Sequence, residues 1–270
     1  MKEELRKDWA FAGFQRPRDI FKPQYRHALL LLVMVVFIGL FFLSEKLALG
    51  RYHIVHCDLD DRIPFNEYFI VFYVIWFPYW VLMLLYTMCF EVPTFKRLMN
   101  YFILTYGIAL TVFFVWPSGH DLRPDSFPRE NFFTWIVKGI YSADESASIF
   151  PSEHVIGAFA VVFAAADSKR FSGVKMLSVI SFLAIGITVS IVFVKQHSVL
   201  DIAGAAPVVI LGYFVCFYPA YRKRIKKQRE ENGQGTKIPT EEKSQRTKIP
   251  TEEKSQRTKI PTKETETGQV

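Results

Sequence analysis

The sequence is poor in cysteine. Its three cysteines, Cys57, Cys89 and Cys216, lack the spacing of a metal site. Two of them lie inside apolar runs, where a cysteine is usually a small buried residue. The first basic residues are followed by no short apolar core with a small-residue cleavage site, so we expect no removable signal peptide. The cysteines therefore indicate no metal centre, and they leave the redox compartment open.

Apolar runs are almost absent from the chain after Tyr221, whereas the residues before it are strongly apolar. The 270 residues are 50% hydrophobic and 16% aromatic on average, which conceals a membrane body and a solvated tail. The net charge of +7 comes largely from short basic runs beside apolar stretches, the pattern of cytoplasmic loops that face anionic lipid. We therefore expect the lipid bilayer, and not a nucleic acid, as the partner of these basic residues.

Membrane-spanning helices need roughly 20 apolar residues each, and the sequence offers six candidate segments. They are Ala28–Leu43, Tyr68–Phe90, Leu98–Pro117, Phe150–Ala166, Met176–Val194 and Ile202–Ala220. We therefore predict an all-α integral membrane bundle of about six transmembrane helices. The fourth segment carries Glu153 and His154 in its first turn, and such residues are costly in lipid unless they face protein or a wet cavity. Five spans with one re-entrant segment is the alternative.

Basic residues are concentrated in alternate loops. They include Lys96 and Arg97, Lys169 and Arg170, and the run Arg222-Lys223-Arg224. Because lysine and arginine favour the cytoplasmic side, both termini are predicted to be cytoplasmic and the other loops to lie at the outer face of the cell membrane. This gives a cytoplasmic segment over residues 1–27, a membrane domain over 28–221 and a basic tail over 222–270.

The tail contains an exact repeat. Thr236–Arg246 reads TKIPTEEKSQR, Thr247–Arg257 repeats it, and a third copy begins at Thr258. An eleven-residue period can produce a coiled coil, but each unit has one isoleucine next to a proline and so offers no apolar seam. We therefore predict a disordered tail, either a tether for a partner or a duplication without a role.

Two polar clusters of predicted outward loops begin apolar segments. In Pro151-Ser152-Glu153-His154, the proline and serine are typical of a helix start, and Ser152 is expected to cap it. The amino-terminus of a helix suits a phosphate oxyanion. His197 and Asp201 are four residues apart and would share a helix face, where a carboxylate fixes the imidazole tautomer. The cations Arg123 and Lys195 on the same side could bind phosphate oxygens.

Together these residues resemble the type 2 phosphatidic acid phosphatase family, the membrane lipid phosphate phosphatases, as a bacterial-type member near the inositol phosphorylceramide synthase-like branch. The similarity runs from Arg123 to Asp201 in order and spacing. The matching positions are Arg123-Pro124, Pro151-Ser152 with His154, and Ser190 with His197 and Asp201. The chain departs from the family pattern at Trp116 and Ile191, where the family has cations, and at Glu153, where it has glycine.

A second copy of the histidine motif lies earlier in the chain. Pro117-Ser118-Gly119-His120 spells the family's Pro-Ser-Gly-His letter for letter. It precedes Arg123-Pro124, which reverses the family order, and no apolar helix follows it to carry the histidine. We therefore do not expect His120 to be the acid histidine.

The resemblance implies hydrolysis of a lipid phosphate or pyrophosphate without a metal or cofactor. His197 would be the nucleophile, Asp201 would orient it, and His154 would be the acid and base. Arg123, Ser152 and Lys195 would bind phosphate oxygens. Transfer of a phospho-headgroup to an alcohol is the alternative, and a transporter or membrane scaffold is a third reading. The sequence specifies neither the lipid nor the oligomeric state.

Overall fold

The computed structural model describes residues 9–234, which fold mainly into helices. The helices are α1 (Leu31–Ala48), α2 (Asp58–Arg62), α3 (Ile70–Phe90), α4 (Val92–Val115), α5 (Phe132–Ala143), α6 (Glu153–Asp167), α7 (Val174–Phe193), α8 (Val199–Cys216) and α9 (Tyr218–Gln234). Short 3-10 helices cover Pro17–Phe21, Arg26–Leu30 and Glu67–Phe69, and two-residue strands β1 (His53–Ile54) and β2 (Ser118–Gly119) pair in parallel. The predicted all-α class is confirmed.

Five helices in the described part of the chain are long and apolar enough to cross a membrane. These spans are Arg26–Ala48, Glu67–Phe90, Val92–Val115, Val174–Phe193 and Val199–Cys216. They also expose large apolar side chains, for example Leu32, Val35, Phe182 and Phe214. Such surfaces are favourable against lipid and costly in water. The protein is therefore a membrane-embedded helical bundle.

The fourth predicted span, Phe150–Ala166, is not among these five helices. It falls on α6, whose 15 residues extend only about 22 Å, less than the hydrocarbon core of a bilayer. Helix α6 contacts α3, α4, α7 and α8, so it lies within the bundle. Its polar first turn is thus surrounded by protein, which removes the cost of exposing Glu153 and His154 to lipid.

Small residues allow the neighbouring helices to approach α6 closely. Ala158, Ala160, Ala164 and Ala165 are fully buried along it. A Cβ at Gly157 would lie 2.8 Å from Tyr106 Oη and 3.0 Å from Trp76 Nε1, so only glycine fits there. This packing fixes α6 against α3 and α4, and with it the position of the histidine one turn earlier.

The two ends of the bundle have different contacts. At one end, Ala10 N donates to the Cys89 carbonyl, and Asp167 pairs with Arg97 and Arg224. At the opposite end the starts of α6 and α8 meet, because Ser152 N donates to the Asp201 carbonyl at 3.2 Å. Ala10 and Arg224 therefore lie at the end of the bundle away from these two helix starts.

The segment Pro117–His120 is part of this second end. Ser148 N donates to the Ser118 carbonyl at 2.7 Å, and His120 N donates to the Ser146 carbonyl at 3.1 Å. A Cβ at Gly119 would lie 2.3 Å from the Tyr52 ring and 2.5 Å from the Ser146 carbonyl oxygen, so the close approach requires glycine. The segment thereby holds the loop that leads into α6.

The predicted tail begins inside a helix. The chain divides into two units at Arg224, within α9, and α9 continues to Gln234. The predicted disorder is therefore wrong for residues 222–234, where i,i+4 pairs such as Lys226 with Glu230 support the helix. The eleven-residue repeats lie outside the described residues.

Asp60 in α2 caps the start of α8. Its carboxylate accepts hydrogen bonds from Val199 N at 2.8 Å, Ser198 Oγ at 2.6 Å and Cys57 N at 2.9 Å. Burial by itself raises the pKa of Asp60, but these hydrogen bonds outweigh burial and hold the pKa below its usual range. The ionised Asp60 therefore stabilises the folded state.

Asp60→Asn is expected to lower the free energy of unfolding by about 1 to 3 kcal/mol at pH 7, because buried N–H donors lose a charged acceptor. Since the folded-state pKa is depressed, this contribution is complete above the unfolded pKa of about 4 and is lost as the pH falls through the folded pKa. Melting temperatures of both proteins in detergent at pH 7 and pH 3 check this. If the difference in melting temperature between the two proteins is the same at pH 7 and pH 3, the stabilising role of the ionised Asp60 is contradicted.

Candidate active site

His197 lies in the tight turn between α7 and α8. The backbone N–H groups of Gln196 and His197 both donate to the Ile191 carbonyl, at 2.9 and 3.1 Å. Lys195 has a φ of 54°, which reverses the chain direction after α7. Ser198 then caps α8 through its side chain, which accepts from Leu200 N. The turn thus places His197 immediately before the helix and buries it to 6% exposure.

The hydrogen bond predicted between His197 and Asp201 is present. Asp201 Oδ2 accepts from His197 Nδ1 at 3.0 Å and from Ser198 N at 3.0 Å, and the carboxyl group is fully buried. The predicted reason was wrong, because His197 precedes α8 and does not share a helix face with Asp201. The two meet through a capping box, in which the third helical residue bonds back to the N-cap.

His154 in the first turn of α6 contacts the other nitrogen of His197. The distance from His154 Nδ1 to His197 Nε2 is 3.1 Å. The His154 ring is held between Tyr73 and Trp76, with ring centroids at 4.8 and 4.4 Å. Because a carboxylate only accepts, the neutral His197 carries its proton on Nδ1, and its Nε2 accepts a hydrogen bond from the Nδ1–H group of His154.

Ser152 occupies the N-cap position of α6, but its side chain makes no capping hydrogen bond, contrary to our expectation. Its Oγ lies 3.5 Å from His197 Nε2 instead. The hydroxyl is therefore beside the two histidines and fully buried. The first-turn N–H groups of a helix have no partner within it, and those of α6 begin next to this hydroxyl.

Arg123 reaches the site through Gln196, the residue before His197. Arg123 Nη2 donates to Gln196 Oε1 at 2.6 Å and to the Asp144 carbonyl at 2.7 Å, and Nη1 donates to the Tyr141 carbonyl at 3.2 Å. The guanidinium also lies 4.4 Å from the centroid of the Tyr141 ring. All three acceptors are uncharged oxygens, so none of these bonds neutralises the positive charge of the guanidinium.

Lys195 does not join the site, which corrects its prediction as a phosphate ligand. Its ammonium is buried and donates to the carbonyls of Asp60 and Ile63, at 2.6 Å each. Burial lowers the pKa of this ammonium, and the carboxylates of Asp60 and Asp61 oppose the shift. The backbone reversal at Lys195 directs the side chain to α2 and the residue after it, although Lys195 is only two positions from His197.

Three residues that the sequence reasoning did not assign connect the site. Gln196 Nε2 donates to Asp144 Oδ2 at 3.1 Å and to Tyr73 Oη at 3.4 Å, and Tyr73 Oη donates to Asp144 Oδ2 at 3.3 Å. Gln196 lies within a polar cluster that the sequence already indicates. Tyr73 lies in an aromatic span and Asp144 follows α5, so the sequence gives no sign of their role.

Unpartnered polar atoms are concentrated in this region. Across the described residues, seven buried side-chain nitrogen or oxygen atoms have no hydrogen-bond partner, and four of them are His120 Nε2, Arg123 Nε, His154 Nε2 and Asp201 Oδ1. Buried polar atoms without partners are rare, and one explanation for them is a role in catalysis or the binding of an ion. The cluster is therefore the part of the described chain best suited to binding a polar ligand.

The fold and this cluster define a membrane-embedded helical bundle that has a histidine–histidine–aspartate network at one end, in which His197 and Asp201 are buried. No protein-family model, curated protein or solved structure matches the chain.

Proposed function

We propose that the protein is an integral membrane phosphatase that hydrolyses a lipid phosphate or pyrophosphate through a phosphohistidine intermediate, as the type 2 phosphatidic acid phosphatase family does. The observation that supports this most is the continuous network from Asp201 through His197 to His154. It provides an oriented nucleophile and a proton donor within one hydrogen bond of each other.

The chemistry takes two steps. In the first, the lone pair of His197 Nε2 forms a bond to phosphorus while the bond to the lipid oxygen breaks. That oxygen takes the Nδ1 proton of His154, which enters the step as the imidazolium, protonated on both ring nitrogens, and leaves it as the neutral ring. Asp201 stabilises the positive charge that develops on the His197 ring. In the second step His154 removes a proton from water, the water oxygen bonds to phosphorus, and the N–P bond breaks to release phosphate.

The substrate has to separate the two histidines. A phosphorus atom poised for attack lies about 3 to 3.5 Å from the nucleophile, whereas His154 Nδ1 occupies that position at 3.1 Å from His197 Nε2. The hydrogen bond between them is therefore the resting arrangement, and phosphate binding replaces it. The proton on His154 then points at the leaving oxygen.

The phosphate oxygens need donors in the transition state, where most of the stabilisation in phosphoryl transfer arises. Arg123 supplies a guanidinium whose hydrogen-bond acceptors are uncharged. Ser152 Oγ lies 3.5 Å from His197 Nε2, and the N–H groups that begin α6 are adjacent to it. Arg123 and Ser152 thus keep the roles in phosphate binding that the sequence suggested, whereas Lys195 is no longer assigned one.

We further propose that the bundle lies in the cell membrane with this end at the outer face. The basic residues Lys96, Arg97, Lys169 and Arg170 belong to the opposite end, and such residues favour the cytoplasmic side. The site would then lie at the depth of the lipid headgroups, where a lipid phosphate is accessible without leaving the bilayer.

The full chain, purified in detergent and supplied with EDTA, is expected to release inorganic phosphate from at least one of three lipids: phosphatidate, phosphatidylglycerophosphate or an isoprenyl diphosphate. Phosphate release is measured against detergent alone, and orthovanadate is expected to inhibit it. If none of the three lipids is hydrolysed, the proposal fails.

Transfer of a phospho-headgroup to an alcohol is the second candidate. It is favoured by the burial of the site, since His197 is only 6% exposed and Asp201 is fully buried, and a secluded intermediate is protected from water. Labelled phosphate from the lipid that appears in a new lipid faster than as free phosphate would decide for transfer. Rapid free phosphate alone would decide for hydrolysis.

A further inference from the structure

His120 was not expected to be the acid histidine, yet it is buried, with an exposed fraction of only 2%. Its backbone is fixed by the hydrogen bond from its N–H to the Ser146 carbonyl. Its Nδ1 accepts a hydrogen bond from Leu122 N at 3.2 Å. In the neutral ring the proton is therefore on Nε2, which makes Nε2 a hydrogen-bond donor.

The ring of His120 stays neutral. Burial, followed by the nearby charges of His197 and Arg123, lowers the pKa of His120 to about 3. His120 is thus a neutral donor at every pH at which a phosphatase of this kind would work. The segment that carries the ring also contacts the loop leading into α6, since Ser118 Oγ accepts a hydrogen bond from Phe150 N at 3.1 Å.

The Nε2–H donor of His120 has no partner with hydrogen-bond geometry, although the Gln196 carbonyl is near enough to favour its protonated form. Leaving a buried donor without a partner costs about 1 to 3 kcal/mol. Arg123 Nε, a second buried donor, is also unpartnered. Two uncompensated N–H donors thus lie beside the turn that carries His197.

We propose that His120 Nε2 donates a hydrogen bond to a non-bridging phosphate oxygen, and so acts with Arg123 as part of the phosphate clamp. This inference rests on the proposed phosphatase function. A neutral N–H donor of fixed tautomer suits the task, because it stabilises the oxyanion without competing with His154 for a proton. Preorganised donors of this type are worth about 100-fold or more in rate.

A pair of amide substitutions separates the two ring nitrogens. In His120→Gln the amide nitrogen can take the place of Nε2, whereas in His120→Asn the side chain reaches only to the position of Nδ1. We expect His120→Asn to reduce kcat/KM for dioctanoyl phosphatidate and the affinity for orthovanadate by about 100-fold, and His120→Gln to retain most of both. Equal losses in the two variants, or full activity in His120→Asn, would overturn the inference.

His120→Leu tests the same inference where an amide variant fails to fold. Leucine removes the uncompensated Nε2–H donor but also the acceptor of Leu122 N, and these two effects oppose each other, so the melting temperature is expected to change little while vanadate affinity falls. A histidine with a purely structural role would show the opposite pattern, lower stability with unchanged affinity, and that result would refute the proposal. If the unsubstituted protein neither releases phosphate nor binds vanadate, the proposed function itself fails.

Discussion

His197→Ala is expected to reduce phosphate release from a lipid phosphate by about 1000-fold or more, because the proposed nucleophile and its phosphohistidine intermediate would be lost together. The side chain makes its hydrogen bonds to Asp201 and His154 and lies close to Ser152, all of which belong to the same site. The steady-state rate of phosphate release in detergent, with the melting temperature measured in parallel, checks this expectation.

His56→Ala is the matched control for this variant. His56 is an exposed histidine that forms a hydrogen bond with Asp61 in helix α2 and takes no part in the site. Its removal is expected to leave the rate within about twofold, as surface substitutions usually do little. Full activity in His197→Ala would contradict the proposed chemistry, whatever the control shows.

Asp201→Asn is expected to lower kcat by about 100- to 10,000-fold with little change in folding. Both hydrogen bonds from His197 and Ser198 end on the same atom, Asp201 Oδ2. The single oxygen of asparagine can accept both, so the substitution retains the cap of α8 and removes mainly the negative charge. The loss therefore measures how far that charge stabilises the positive His197 ring during phosphorylation.

The kcat and KM of Asp201→Asn, together with its melting temperature, separate this effect from a structural one. The exposed Asp61 offers the control, since Asp61→Asn removes a carboxylate from helix α2 and is expected to leave kcat unchanged. A rise in KM at constant kcat in Asp201→Asn would show that the carboxylate acts in binding and would contradict its role beside the nucleophile.

The helical bundle was predictable because a long apolar segment can cross a membrane only as a helix or as part of a closed barrel. The exception is α6, where sequence alone does not distinguish a buried helix from a span. Its alanines and Gly157 are apolar enough for lipid, but their burial depends on how α3, α4, α7 and α8 pack around them. That packing is a tertiary property, and the pattern of apolar residues along the sequence does not predict it.

The site was partly predictable for a similar reason. The pairs His197–Asp201 and His154–His197 follow from residue chemistry at two helix starts. Lys195 was misassigned because nearness in sequence does not determine direction, and a single residue with positive φ turns its side chain toward Asp60. His120 was set aside on motif order, although hydrogen bonds to Ser146 and Leu122 bury it next to Gln196.

The repeats after Gln234 and the polarity of the tail are evident in the sequence, but helix α9, which precedes the repeats, was not predicted. Residues 222–234 are strongly polar, and a polar segment without an apolar face is a weak helix candidate. Its pairs Lys226–Glu230 and Lys227–Glu231 are spaced for a helix, so the information was present in the charge pattern.

The central claim is that His197 carries phosphate during turnover, and trapping that intermediate tests it most directly. His154→Gln is mixed with radiolabelled para-nitrophenyl phosphate, whose good leaving group needs no acid, so the step that requires a base to activate water becomes limiting. Quenching in alkali, in which phosphohistidine survives, followed by peptide mass spectrometry is expected to find phosphate on His197 in near-stoichiometric amount. Label on another residue, or none on the protein while phosphate is still released, would contradict the account.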